Sequence, residues 1–355
     1  MKLKKWRLSG LLLAVFILLR IFSMHSQLVE KYYSRGIYLI IGRTLNGISS
    51  FFPFALGELL LFFIILGFLI FILRYGYIKR RNRSMLFIGQ PKSRFYIQRV
   101  VASILSVAVA FQLVWGLNYS RQPLAYIMGL EVQPRESRQL YEAFMWHIGQ
   151  VNEIRSQLEK TDYEKTYKIW SGYQSLGKEY GELSPIHGEA KGLITSIFFS
   201  YAGISGIYNP FLSEPNFNAD QVDFMHPVVM AHEMAHLQGF AREDEANYIA
   251  VRACLSHDEA FVNYSGHMLA IIHMSNALYY TDPSLWKDAN NHISQEVRKD
   301  FNRHSAFWKS YDGWFNDASS NMNDRYLKVN GQTDGIASYG RMIDLLLASF
   351  DLYKN

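Results

Sequence analysis

The chain has 355 residues, of which 49% are apolar, and its 36 Lys+Arg against 31 Asp+Glu leave a formal net charge of +5. That figure hides two halves of opposite sign: residues 1–117 hold 16 bases and two acids, Glu30 and Glu58, whereas the rest holds 20 bases and 29 acids. The split excludes a nucleic-acid binder, which would carry its basic patch on the folded soluble part, and the single cysteine, Cys254, excludes an intramolecular disulfide and a cysteine-built zinc site.

Three stretches are apolar enough to be read as membrane spans: Leu8–Met24, Ala55–Leu73 and Val100–Leu117. Each has the length that crosses roughly 30 Å of hydrocarbon as a helix. Arg20 lies near the end of the first, where a long side chain can reach the interface, and no small-residue cleavage pattern follows it, so an anchor is favoured over a signal peptide. Gly36–Phe54 is apolar but broken by Arg43, Asn46 and Pro53, which reads as an interfacial helix.

The loops set the orientation. Residues 1–7 carry Lys2, Lys4, Lys5 and Arg7, and the loop after the second stretch carries eight bases from Arg74 to Arg99 with no acid. An excess of Lys and Arg marks cytoplasmic loops. Three crossings then place the N-terminus in the cytoplasm and residues 118–355 outside the cell membrane.

That outer part has the size of one domain. Arg135–Lys160 has apolar residues three and four apart, at Leu140, Phe144, Ile148, Val151, Ile154 and Leu158, which predicts an amphipathic helix. Ile186–Asn218 is rich in glycine and proline, with β-prone pieces at Ile194–Tyr201 and Ile204–Tyr208. Helical patterns follow at Val228–Leu255, Phe261–Tyr280, Leu285–Trp308 and Gly340–Leu352. The fold class expected is mainly α: transmembrane helices over residues 1–117, then an α+β zincin-like domain over 118–355.

Within the first of these patterns His232-Glu233-Met234-Ala235-His236 fits H-E-x-x-H. Residues four apart share a helix face, so both imidazoles can hold one zinc ion, and Glu233 is turned toward the substrate side, where it suits a general base. Gly239 stands where a left-handed residue would end the helix. Glu243-Asp244-Glu245 then suits the first turn of the next helix, whose dipole favours acids. The third ligand is sought among Glu243, Glu245, His226, Glu214 and His257. Glu245 is preferred, with Ala246 leaving space beside it, and Glu243 is its rival. Arg242 occupies the place of a third histidine in the metzincin pattern and excludes that version.

The run HEMAHLQGFAREDEANYIA resembles the H-E-x-x-H and E-A-N-x-x-A motifs of zinc peptidases of the ImmA/IrrE type and, more loosely, the HtpX type, with a shorter spacer. That resemblance implies Glu245 as the third ligand. The wider pattern, with LNYSRQPL, YAGISGIYNPFLSEPNFN and YLKVNGQTDG, is similar to a family of uncharacterised bacterial multi-span membrane proteins across nearly the whole chain. The function expected is a membrane-anchored zinc metallopeptidase acting on a peptide or protein substrate, with Zn²⁺ on His232, His236 and Glu245 and with Glu233 as base. A zinc amidohydrolase of cell-wall peptides and a non-catalytic zinc-containing sensor or scaffold are the alternatives. Tyr264, His267, Tyr326, Tyr339 and Arg341 are candidate oxyanion donors, and Gly203–Asn218 is a candidate substrate-binding strand region.

Overall fold

The apolar stretches of the first third fold as helices in the computed structural model, which describes residues 6–81, 91–133, 136–158, 167–330, 332 and 341–353. Helix α1 (Arg7–Ser23) bends by 98° into a continuous rod made of α2 (Ser26–Leu28), a π-helical run (Val29–Ile37) and α3 (Tyr38–Ser50). Helices α4 (Leu56–Arg81) and α5 (Pro91–Val114) contain two segments long and apolar enough to cross a membrane, Leu56–Ile78 and Tyr96–Val114. The number becomes three among the described residues if α1 and the rod form one broken span. The last expected span ends three residues early, because Gly116–Ser120 tightens into a 3₁₀ turn that buries Trp115, Leu117 and Asn118 against the protein.

Gly36–Phe54 gives one face to the domain that follows. Asn46 donates to the Ser213 carbonyl at 2.8 Å and Arg43 to the Pro185 carbonyl at 2.9 Å. Ile37, Ile40 and Ile48 remain exposed.

After α6 (Leu124–Met128), helix α7 (Ser137–Leu158) buries Leu140, Phe144, Ile148, Val151 and Leu158, the expected three-and-four stripe. Helix α8 (Trp170–Glu179) leads to a three-stranded sheet of β1 (Lys191–Gly192), β2 (Gly206–Asn209) and β3 (Glu214–Phe217), with α9 (Ser196–Tyr201) between β1 and β2. The order is β1-β3-β2, with β1 parallel and β2 antiparallel to the central strand, so β2 is an edge. Ile194–Tyr201, expected as β-prone, is instead a turn leading into a helix. Its large apolar residues, Ile194, Ile197, Phe198 and Tyr201, recur three and four apart, which is helical spacing.

The domain core is built by α7, α10 (His226–Leu237), α11 (Glu243–Leu255) and α12 (Ala260–Thr281), which pack directly on one another. Helix α12 buries residues on several faces, among them Phe261, Val262, Tyr264, Met268, Ile271 and Met274, so it runs through the interior. The expected helix Leu285–Trp308 is two, α13 (Pro283–Asn291) and α14 (Gln295–Ser310), because Ser294 caps a fresh N-terminus by accepting from Val297 N–H. Helices α15 (Trp314–Val329), α16 (Met342–Ala348) and α17 (Phe350–Tyr353) close the chain. A second core cluster joins Val29, Tyr33, Tyr38, Trp115 and Leu117 of the first third to Ile186, Tyr208, Leu237 and Ala241. The membrane-rich part and the domain therefore share a core directly beneath the C-terminus of α10.

Candidate metal centre

Helix α10 starts with Pro227 in its first turn, where a missing N–H costs nothing. It ends in a left-handed glycine: Gly239 has φ +84°, its N–H donates to the His236 carbonyl at 2.9 Å, and Phe240 N–H donates to the Ala235 carbonyl at 3.1 Å. This pair of bonds is the Schellman closure. Carbonyls at and just beyond the helix end also accept from side chains of residues 38–121. Tyr38 Oη donates to Leu237 O at 2.9 Å, Trp115 Nε1 to His236 O at 3.3 Å and Arg121 Nη1 to Gly239 O at 3.0 Å. Arg121 is itself fixed by a forked pair to the buried Glu30 and lies over the Phe240 ring, a cation placed where the helix dipole favours one.

Gly239 turns the chain back, and after a connection of five residues α11 packs on α10. The Nε2 atom of His232 lies 3.1 Å from Glu243 Oε2, and Nε2 of His236 lies 3.8 Å from Glu243 Oε1. All three donor atoms fall within 4.8 Å of one another. Two ligands at about 2.0–2.1 Å from a tetrahedral zinc stand about 3.3 Å apart, a spacing the His232–Glu243 pair is close to and the wider triad would reach by drawing in. The other ring nitrogens are committed: His232 Nδ1 to Asn247 Oδ1 at 2.8 Å and His236 Nδ1 to Phe240 O at 2.7 Å. Each acceptor holds the proton on Nδ1 and leaves Nε2 free to ligate. Without a cation, burial works to lower the His232 pKa, but the hydrogen bond and charge of Glu243 outweigh it and carry it up to about 9. Burial pushes His236 down to about 4.

Glu245 lies elsewhere. Residues two apart on a helix are about 200° apart around its axis, so once Glu243 faces the histidines Glu245 turns away. Its Oε1 accepts from Leu124 N–H at 2.8 Å, at the start of α6, and stands 3.4 Å from Arg242 Nε. Burial pushes this carboxyl up to about 7. The donor set that converges is His232, His236 and Glu243. The other candidates are also engaged elsewhere. Glu214 accepts from Leu56 N–H and Gly57 N–H, His226 meets Gln221 O and His257 meets Lys168 O.

Glu233 is buried, and burial pushes its carboxyl up to about 8. Strand β2 passes directly over it: a Cβ on Gly206 would stand 2.5 Å from Glu233 Oε1. Among the candidate oxyanion donors, Tyr264 bonds Asp300 and His267 pairs with His147, away from the triad. Arg341 stands 3.4 Å from Asp244, and Tyr339 lies outside the described residues. Tyr326, on α15, bonds Tyr119 at 3.2 Å, and Glu243 contributes to the upward shift of its pKa behind burial. Trp115 and Tyr208 add ring contacts to His236 at 5.9 and 6.2 Å. Sequence reasoning missed Asn247, Gly206, Tyr119 and Trp115. Asn247 alone had a local signal, since it lies four residues after Glu243 on the helix face that returns to His232.

No curated protein and no solved structure matches the chain. Residues 33–347 match the family described as "Protein of unknown function (DUF3810)", and the chain belongs to that family.

Proposed function

We propose that this chain is a membrane-anchored zinc-dependent peptidase whose metal is held by His232, His236 and Glu243. The observation that carries the reading is the convergence of three correctly oriented donors beside a buried carboxylate, Glu233, which is outside the donor set. A structural zinc site is closed by four protein ligands, whereas a catalytic one keeps a position open, and three donors favour the second. Bound there, zinc supplies a Lewis acid and lowers the pKa of its water to about 7. Glu233, once ionised, would take that water's proton and pass it to the leaving amine. Tyr326, held by Tyr119, is the best-placed donor for the developing oxyanion. Strand β2, the edge strand of the described sheet beside Glu233, offers backbone pairing to an extended substrate.

The orientation reading gains support that does not depend on α1. The start of α4 and the end of α5 both pack on the domain, so the end of α4 at Arg81 and the start of α5 at Pro91, where the sequence is basic, are the ends remote from it. A cytoplasmic loop then puts the centre outside.

The test is metal content and hydrolysis in the purified full chain. Wild type should hold one zinc per chain, and His232→Ala should hold none. Glu233→Gln should keep the zinc and lose about two to four orders of magnitude in rate. Full activity in Glu233→Gln would reject the peptidase and leave a structural metal site.

A further inference from the structure

Strand β2 ties the candidate centre to the start of a membrane-crossing segment. One end, Gly206, lies against the Glu233 carboxyl. The other end, Asn209, lies against Gly57 in the first turn of α4, where a Cβ would stand 2.8 Å from Asn209 Nδ2. Three strand steps at about 3.4 Å each make the separation about 10 Å. The same level is pinned independently. Glu214 of β3 accepts from Leu56 and Gly57 N–H at 3.0 and 2.9 Å. Glu58 accepts from Ile194 and Thr195 N–H at 2.9 and 2.8 Å. Phe211, in the β2–β3 turn, has its ring 6.5 Å from that of Phe111 of α5, inside the apolar segment Tyr96–Val114.

The surface between these points is apolar. From Gly192 to Ser213 the chain has no charged residue. Ile197, Phe198 and Tyr201 lie on the outer side of α9, Phe198 at 68% exposure; Ile194, in the turn before it, is 80% exposed, and Ile207 of β2 is also exposed. A helix normally turns such a stripe to the core. This one turns it outward, next to a residue, Glu58, in the first turn of a bilayer-length helix.

We propose that the α9 face is seated in the bilayer and that the site cuts the membrane-proximal segment of a bilayer-anchored polypeptide lying along β2. This rests on the peptidase reading. The reaction is hydrolysis: the amide C–N bond breaks, water's hydroxyl goes to the carbonyl carbon, and its proton reaches the amine nitrogen through Glu233. The placement selects the substrate, because a scissile bond about 10 Å from the start of α4 is within about three extended residues of the bilayer boundary.

Two measurements on the full chain test this. Phe198→Cys, reconstituted in lipid nanodiscs, can be labelled at one site with a fluorophore, since the native Cys254 is fully buried. Nitroxide lipids should quench that label several-fold more than aqueous iodide; the reverse order overturns the proposal whatever the enzyme does. In cells, N-termini present with wild type and lost with Glu233→Gln should lie within about five residues of membrane-spanning segments. Glu233-dependent termini in soluble proteins would overturn the substrate class and leave the peptidase standing. No Glu233-dependent termini at all would overturn both.

Discussion

At the scale of single residues, two glutamates in one helical turn do different work. Glu243 joins His232 and His236, whereas Glu245 holds Leu124 N–H and Arg242. Glu243→Ala should therefore release zinc from a protein that still folds. Glu245→Ala should keep zinc but leave Leu124 N–H without its acceptor, a buried loss worth about 1–3 kcal/mol of stability. Metal analysis paired with thermal unfolding of the two variants checks this, and the opposite pairing would return the third ligand to Glu245. The sequence made His232, Glu233 and His236 legible because a four-residue spacing on one helix fixes their geometry by itself. The third ligand was not legible in the same way. Choosing between residues 243 and 245 requires the rotational phase of α11 against α10, and that phase is set by the Gly239 turn and the extended backbone at Arg242 rather than by either glutamate's neighbours.

At the scale of elements, the turn between α10 and α11 is the part on which the site's dimensions depend. Gly239 needs a positive φ, and a Cβ there would stand 2.9 Å from Tyr38 Cε1. Gly129 also has a positive φ, +65°, at the end of α6, but a Cβ there meets nothing within 4 Å. Gly129→Ala should cost only the left-handed backbone penalty, about 1–2 kcal/mol. Gly239→Ala should cost more, because Tyr38 must move as well, and it should weaken metal binding while Gly129→Ala does not. Thermal unfolding and zinc titration of both variants separate conformation from contact; equal effects would remove Tyr38 from the account. The helices α7 and α12 were readable from periodicity, because a buried face repeats every three or four residues. The stretch at Ile194–Tyr201 was misread as β-prone because its residue types suit a strand while their spacing suits a helix. Its apolar face points away from the core that periodicity arguments assume.

At the scale of the whole molecule, the first third of the chain is more than an anchor. A reading divided at residue 117 separates a membrane region from a domain, yet Tyr38 and Trp115 on one side reach Leu237 and His236 on the other. Contacts across 121 and 199 residues leave no local pattern, which is why the second core cluster is invisible in the sequence. The overall disposition still yields a direct expectation. A reporter fused after Asn355 should be active only outside the cytoplasm, and one inserted between Arg80 and Gln90 only inside. A cytoplasmic C-terminus would reverse the compartment of the proposed substrate while leaving the centre's geometry intact.

The donors that Tyr38, Trp115 and Arg121 supply to the last turn of α10 have a consequence for the protein's lifetime. A protease that clipped the chain between Val114 and Arg121 would leave the two parts joined through the shared core and the bonds from Tyr38, Asn46 and Leu56. The same cut would loosen Trp115 and Arg121 from the carbonyls of His236 and Gly239. The segment that presents the second histidine would keep only the Tyr38 donor of its three. Continuity of the chain through this segment and the geometry of the candidate metal centre are therefore coupled, because the same side chains serve both.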